Sequence, residues 1–183
     1  VVGDLGCGTG QVAEALAPWV RRVIAVDEST AMLQAAKRRV RTLGNVDVRR
    51  GALESLPIDT ASLDAVTCVL VLHHLPMPER ALAEAARVLR PGGRLLLTDM
   101  MPHDREVYRH QMGHVWLGFS EAEITRYLDD AGFEATRLVP LPPDSTAQRP
   151  TLFAAAALRS LTLPAARPRA TVRPTPTNEG ESR

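Results

Sequence analysis

The chain has two cysteines, Cys7 and Cys68, in 183 residues. Two thiols make neither a disulfide framework nor a zinc signature, and both are expected as small buried residues. An excess of either charge is also lacking: the formal net charge is +1. The arginines are scattered, so no field for a polyanion such as nucleic acid is expected. No stretch approaches the ~18 consecutive apolar residues of a membrane span. The first residues lack the basic start and cleavage pattern of a secretory leader. No internal repeat is present. What survives these exclusions is one domain with a sizeable core, expected in the cytoplasm. Residue 1 is a valine already inside an apparent strand, with no initiator Met. A domain cut from a longer polypeptide is the expectation.

What is present is concentrated in Asp4-Leu-Gly-Cys-Gly-Thr-Gly10. Val1 and Val2 lead in as a buried strand. Gly6, Gly8 and Gly10 permit a sharp turn and close approach of a ligand to the backbone. A helical apolar pattern begins at Val12. Strand, glycine turn and helix open a doubly wound fold, with the ligand at the carboxyl end of the strand. A dinucleotide fingerprint needs a third glycine where Gln11 stands. Asp4 would also repel a pyrophosphate, yet it suits a ligand bearing an ammonium group. S-adenosylmethionine carries an ammonium, a carboxylate and an adenosine. Loop amides can meet its carboxylate, and Asp4 its ammonium, directly or through water.

The stretch resembles motif I of the class I S-adenosylmethionine-dependent methyltransferases. The resemblance implies a Rossmann-like α/β sheet of seven strands in order 3-2-1-4-5-7-6, the last strand antiparallel. It also implies that helices normally preceding the first strand lie outside this sequence. Asp4, Gly6, Cys7, Gly8, Thr9 and Gly10 become cofactor-binding candidates. Asp27 closes the next strand, Arg22 to Asp27, near the interval at which such folds place a ribose-binding acid. A helix cap is its alternative role. Glu28 is a weaker candidate beside it.

Thr30 to Leu43 reads as an amphipathic helix stopped by Gly44, with Met32, Leu33, Ala36 and Val40 on one side. Met32 either brushes the adenine or packs in the core. Gly51-Ala52-Leu53-Glu54 resembles the family's second motif, which borders the adenine. Ala52 stands where many relatives carry Asp, so one hydrogen bond to the adenine amino group is missing. Leu53 could read the adenine edge through its backbone, and Glu54 could replace the carboxylate. Leu63 to Leu70 is an apolar run suited to a strand covered on both faces. Val69 and Leu70 would face the methionine part of the cofactor. His73-His74-Leu75 resembles small-molecule methyltransferases, including those of quinone biosynthesis. In an extended segment the two imidazoles would oppose each other.

Pro78 starts a helix through Leu89, the stretch 90–94 breaks it, and Leu95 to Asp99 is the fifth strand. Residues 101–119 hold His103, Asp104, Arg105, Glu106, Tyr108, Arg109, His110, His114 and Trp116, a density that suits an acceptor pocket. This stretch resembles methyltransferase domains joined to arsenical-repressor-type winged-helix regulators, which implies a fused or adjacent regulator as a partner. The catalytic candidates are His74, His103, Tyr108, His110 and His114, with no choice among them. His110 and His114 lie four apart, on one helical face if the helix continues. With His103 or Glu106 they offer three metal ligands. Gly113 weakens that helix, and transfer from a sulfonium needs no Lewis acid, so no metal is expected.

Ser120 to Glu123 is a capping box for a helix to Asp130. Glu134 to Val139 and Thr151 to Leu158 are the last two strands. The domain is thus expected over 1–158, with a disordered tail over 159–183. The function expected is methyl transfer to a small-molecule acceptor. The alternative is a sensing module that binds S-adenosylmethionine without turnover inside a larger regulator.

Overall fold

A computed structural model describes residues 1–142 and 149–161. The expected loop between the last strands and the expected tail therefore lie largely outside the described residues. Among these residues seven strands form one sheet: β1 (Val2–Leu5), β2 (Val23–Asp27), β3 (Val46–Arg50), β4 (Leu63–Val69), β5 (Leu89–Met100), β6 (Phe133–Pro140) and β7 (Leu152–Arg159). Their order is β3-β2-β1-β4-β5-β7-β6, as expected. β1 to β5 run parallel, and β7 is antiparallel to both its neighbours.

Helices cover both faces. α1 (Gln11–Leu16) and α2 (Thr30–Arg39) lie on one side, over a cluster of Ala13, Ala17, Val23, Ala25, Leu33 and Ala36. α3 (Pro78–Val88) and α5 (Glu121–Asp130) lie on the other, over Ile24, Val26, Leu63, Val66, Leu95, Leu97 and Phe119. β2 shows the division directly. Val23 and Ala25 point to one core and Ile24 and Val26 to the other, because successive side chains alternate. A strand buried on both faces must be apolar throughout, which is why Val-Ile-Ala-Val reads as a run. Beyond α1, the same face over β4, β5 and β7 carries a groove of about 450 Å3 lined by Leu16, Ala65, Leu96, Ala156 and Leu158.

Several boundaries differ from expectation. The last turn of the first helix tightens to a 3-10 turn, Ala17–Trp19, around Pro18. α2 ends at Arg39 and not at Leu43, because Val40 leaves helical geometry after its N–H closes on Ala36 O. Gly44 is therefore not the helix stop. Asn45 fixes the return by donating to Ala17 O and Val20 O. The fifth strand begins at Leu89 and not at Leu95. Leu89 pairs with Leu63 and Arg94 with Ala65, so residues 90–93 form a bulge inside the strand. β7 runs one residue further than expected, to Arg159.

The capping box is present. Ser120 Oγ accepts from Glu123 N at 3.3 Å, and the Glu123 carboxylate accepts from Ser120 N at 2.8 Å. Ser120→Ala should lower the free energy of unfolding by about 1 kcal/mol, measured by denaturant titration.

Candidate functional site

The crevice at the carboxyl ends of β1, β2 and β4 gathers most of the residues singled out in the sequence. Val2 and Asp4 share a parity on β1, as do Val23, Ala25 and Asp27 on β2, so both acids face the side of α1. Asp27 Oδ2 accepts from Gly8 N at 2.8 Å and its Oδ1 from Ser29 N at 2.8 Å. The acid is thereby locked into the glycine turn. Ser29, and not Asp27, caps α2. Each Asp27 oxygen keeps a second lone pair for a further donor.

Asp4 is 1% exposed. Its Oδ1 accepts from Thr67 Oγ1 at 3.1 Å, and its Oδ2 has no hydrogen-bond partner among the described residues. Burial raises its pKa to about 6. The Thr67 hydroxyl and the Ala13 N–H pull the other way, while the Asp27 charge adds to the rise. The Ala13 N–H falls short of a full hydrogen bond to Asp4, so it tempers the shift without satisfying Oδ2. A buried carboxylate with one free oxygen is the arrangement a cationic ligand group would complete. Thr67 was not legible as a partner, because its role depends on β4 lying beside β1.

Gly6 has φ +73, and a Cβ there would sit 2.5 Å from Val71 Cγ2. Gly8 also has positive φ, yet its Cβ position is open, with nothing within 4 Å. One glycine is needed for packing, and the next leaves a space beside the backbone. Four loop amides are already engaged: Gly6 and Cys7 donate to Val26 O, Gly8 to Asp27 and Gly10 to Cys7 O. An anionic ligand group is left with the Thr9 amide and the opening turn of α1. Cys7 is buried, and burial with the Asp4 and Asp27 charges pushes its thiol up to about 12.

The other candidates stand at or just after the carboxyl ends of β2, β3 and β4. Glu28 is exposed, with its carbonyl accepting from Arg50 Nε. Met32 is 43% exposed, so its core reading is corrected: it stands at the start of α2, outside the cluster that holds Leu33 and Ala36. Gly51 N donates to Asp27 O, which carries Ala52, Leu53 and Glu54 to the same end of the sheet. Leu53 itself is buried in the core, so only its backbone is offered to a ligand. The loop is held from behind by α3. Glu84 accepts from Leu56 N, and Arg87 donates to Leu56 O and Ile58 O. Val69 ends β4. Leu70 follows in a left-handed conformation, φ 54, with its N–H on Thr98 O. A non-glycine residue held there is strained, at the point where β1 and β4 part.

Past Leu70 lies a cavity of about 420 Å3 whose lining includes Met100, Tyr108, Met112 and Leu152. Two expectations about its neighbourhood are corrected. His73 and His74 do not oppose each other, because Leu72–His74 is a 3-10 turn, and their ring centroids lie 4.2 Å apart. His110 and His114 do not share a helical face. α4 (Val107–Met112) ends at Gly113, φ 69, which turns the chain so that His114 is buried while His110 stays exposed. The three-ligand grouping of His110 and His114 with His103 or Glu106, which the spacing would have allowed, is not assembled. His114 packs instead against His73, at 4.2 Å, and His74, at 5.0 Å. Burial, reinforced by the neighbouring imidazoles, pushes the His114 pKa down to about 4. Tyr108 stacks edge-on to both His103 and His114, at 5.3 and 5.1 Å.

Asp99 was missed in the sequence, where it reads only as a strand end. It is fully buried, and its Oδ1 lies 2.7 Å from His73 Nδ1.

A family model described as "Methyltransferase domain" matches residues 3–97. An uncharacterized 37.1 kDa protein of a Streptomyces fradiae transposon is 39% identical over 75% of this chain and 44% of its own length. A ubiquinone biosynthesis O-methyltransferase of Xanthomonas oryzae is 35% identical over 53% of this chain and 41% of its own length. The chain thus spans less than half the length of these curated relatives. Among solved structures, an S-adenosylmethionine-dependent methyltransferase of Methanosarcina mazei superposes with a TM-score of 0.72 at 21% identity, covering 88% of this chain and 92% of that one. The YcgJ protein of Bacillus subtilis superposes with a TM-score of 0.67 at 24% identity, covering 86% and 88%. On a sheet of this order, with the family matched over more than half its residues, the chain belongs to the methyltransferase domain family, whose methyl donor is S-adenosylmethionine.

Proposed function

We propose that this domain transfers a methyl group from S-adenosylmethionine to a small-molecule acceptor held in the cavity beside Leu70. The observation that carries the reading is the shared crevice: two acids on adjacent strands, one locked to Gly8 and the other buried with a free oxygen. When bound, the donor supplies a methyl group already activated by its sulfonium. The chain's own work is then placement, which can supply roughly 7–11 kcal/mol in the best model systems.

In this reading Asp4 takes the ammonium, and Thr9 with the first turn of α1 takes the carboxylate. Asp27 takes the ribose hydroxyls through its spare lone pairs, with Glu28 beside it. Met32 and the backbone of Ala52 to Glu54 flank the adenine. The backbone at Val69 and Leu70 lies along the methionine portion and separates it from the acceptor. Tyr108 is the catalytic candidate that lines the cavity. A base is needed only where the acceptor must lose a proton. The name of the Xanthomonas relative supports a small organic acceptor. No described helix is long and apolar enough to cross a membrane. A cytoplasmic location and an attached winged-helix regulator belong to the same proposal, the latter on the resemblance of 103–119.

Incubation with methyl-labelled donor and a fractionated small-molecule extract tests it. Label should pass to a low-molecular-weight product. Tight donor binding with no transfer to any fraction would instead favour the sensing role.

A further inference from the structure

We propose that His73, His74 and His114 form a three-imidazole site for a transition-metal dication such as Zn2+ or Co2+, at the carboxyl ends of β4 and β5. The site stands apart from the acids of the donor crevice, and its test does not depend on methyl transfer.

The three residues each present one ring nitrogen within 4.8 Å of the others. Their rings lie 4.2 to 5.0 Å apart, and no hydrogen bond joins one ring to another. Packing alone gives a poor account of this grouping, since each imidazole brings polar atoms that want partners. His114 Nδ1 is buried with none among the described residues. An orphaned buried nitrogen is costly to the fold, and a bond to a metal would relieve that cost.

The surroundings fit a metal as well as the ligands do. Asp99 sits behind His73, at 2.7 Å from Nδ1, and Met100 N holds the same carboxylate oxygen at 2.8 Å. A carboxylate on one ring nitrogen fixes the tautomer and turns the other nitrogen outward as a ligand. The Asp99 Oδ2 atom is buried without a partner among the described residues, so a positive centre nearby would balance that carboxylate. His74 is exposed, with Nδ1 3.3 Å from Gly113 O, and opens the cluster to solvent as an entry path. Val115 N and Trp116 N both donate to His73 O, and Trp116 Nε1 donates to Leu75 O. These bonds tie the two segments together, so the three rings are held as a group.

Imidazole nitrogens select zinc, cobalt, nickel or copper over magnesium or calcium. In a tetrahedral site with bonds of about 2.0–2.1 Å the ligand nitrogens stand roughly 3.3 Å apart. Rotation of the exposed His74 ring would draw the cluster in. Three protein ligands leave one position open. Tyr108 is in contact with His114 and also lines the cavity, so the open position lies near the acceptor on the reading above.

The test is Co2+ titration of untagged protein, followed by visible ligand-field bands and by thermal unfolding. One equivalent should bind, raise the melting temperature and resist competition by Mg2+. His74→Ala and His114→Ala should abolish the bands and the thermal shift. Asp99→Asn should weaken binding by about 10–100-fold. His110→Ala should bind as the native protein does. No binding by the native protein, native-like binding by His74→Ala, or displacement by Mg2+ would overturn the site. His74 is exposed, so its variant decides the matter even if His114→Ala does not fold.

Discussion

Replacing Asp4 by Asn should weaken S-adenosylmethionine binding by about 30- to 100-fold, the cost of leaving a buried ammonium without its charge partner. The pH dependence separates this role from a packing role. In the free domain the Asp4 pKa is raised to about 6, chiefly by burial. An incoming ammonium favours the carboxylate, so binding must expel a proton below that pH. Affinity of the native domain should therefore rise as pH climbs through about 6 and level off about one unit above it. The Asn variant should show no such rise, by titration calorimetry. The same shift fixes the sign for stability. A raised folded pKa contributes stability below the unfolded value of 3.8, and that contribution is lost as pH climbs through about 6. Relative to the Asn variant, the ligand-free native domain should lose up to about 3 kcal/mol between pH 4 and pH 7. Parallel stability profiles for the two proteins would overturn the raised pKa, and equal affinity of the two for S-adenosylmethionine would remove Asp4 from the site.

Asp27→Ala should weaken binding by about 100-fold. Two hydrogen bonds from ribose hydroxyls to a charged acceptor are lost, at about 1.5–3 kcal/mol each in the strongest cases. The Gly8 and Ser29 amides also lose their acceptor, so the glycine turn is released at the same time. Comparing S-adenosylmethionine with an analogue lacking the ribose hydroxyls divides the two effects. The native domain should discriminate between them and the Ala variant should not. If the variant still prefers the intact ribose, the hydroxyls are held elsewhere.

The glycine turn and the two acids beside it were legible in residues 1–27 because their determinants are local. A glycine turn is read from adjacent glycines, and an acid that closes a strand is read from the run before it. The fifth strand and α2 were legible in place but not in extent. A bulge is a matter of pairing with β4, and a helix end depends on what Asn45 reaches across to hold. The histidines show the larger gap. Reading His73 and His74 as extended required them to point apart, and the four-residue spacing of His110 and His114 put them on one helical face wherever a helix continues past Gly113. The 3-10 turn at Leu72 and the left-handed Gly113 reversed both.

By itself the sequence determined the sheet order, the acid-flanked glycine turn and, with them, the family and its methyl donor. The turn and the strands follow from short-range spacing and from apolar runs that a doubly covered parallel sheet must bury, and the sheet order, the family and the donor came through the resemblance of that turn to motif I. The tertiary structure alone decided that Asp4 keeps a free buried oxygen, that Thr67 is its partner, and that Asp99 backs a cluster of three imidazoles. Those facts depend on which residues of separate strands and loops meet. Neighbours in space across 26 or 63 positions of chain leave no periodic mark in the sequence.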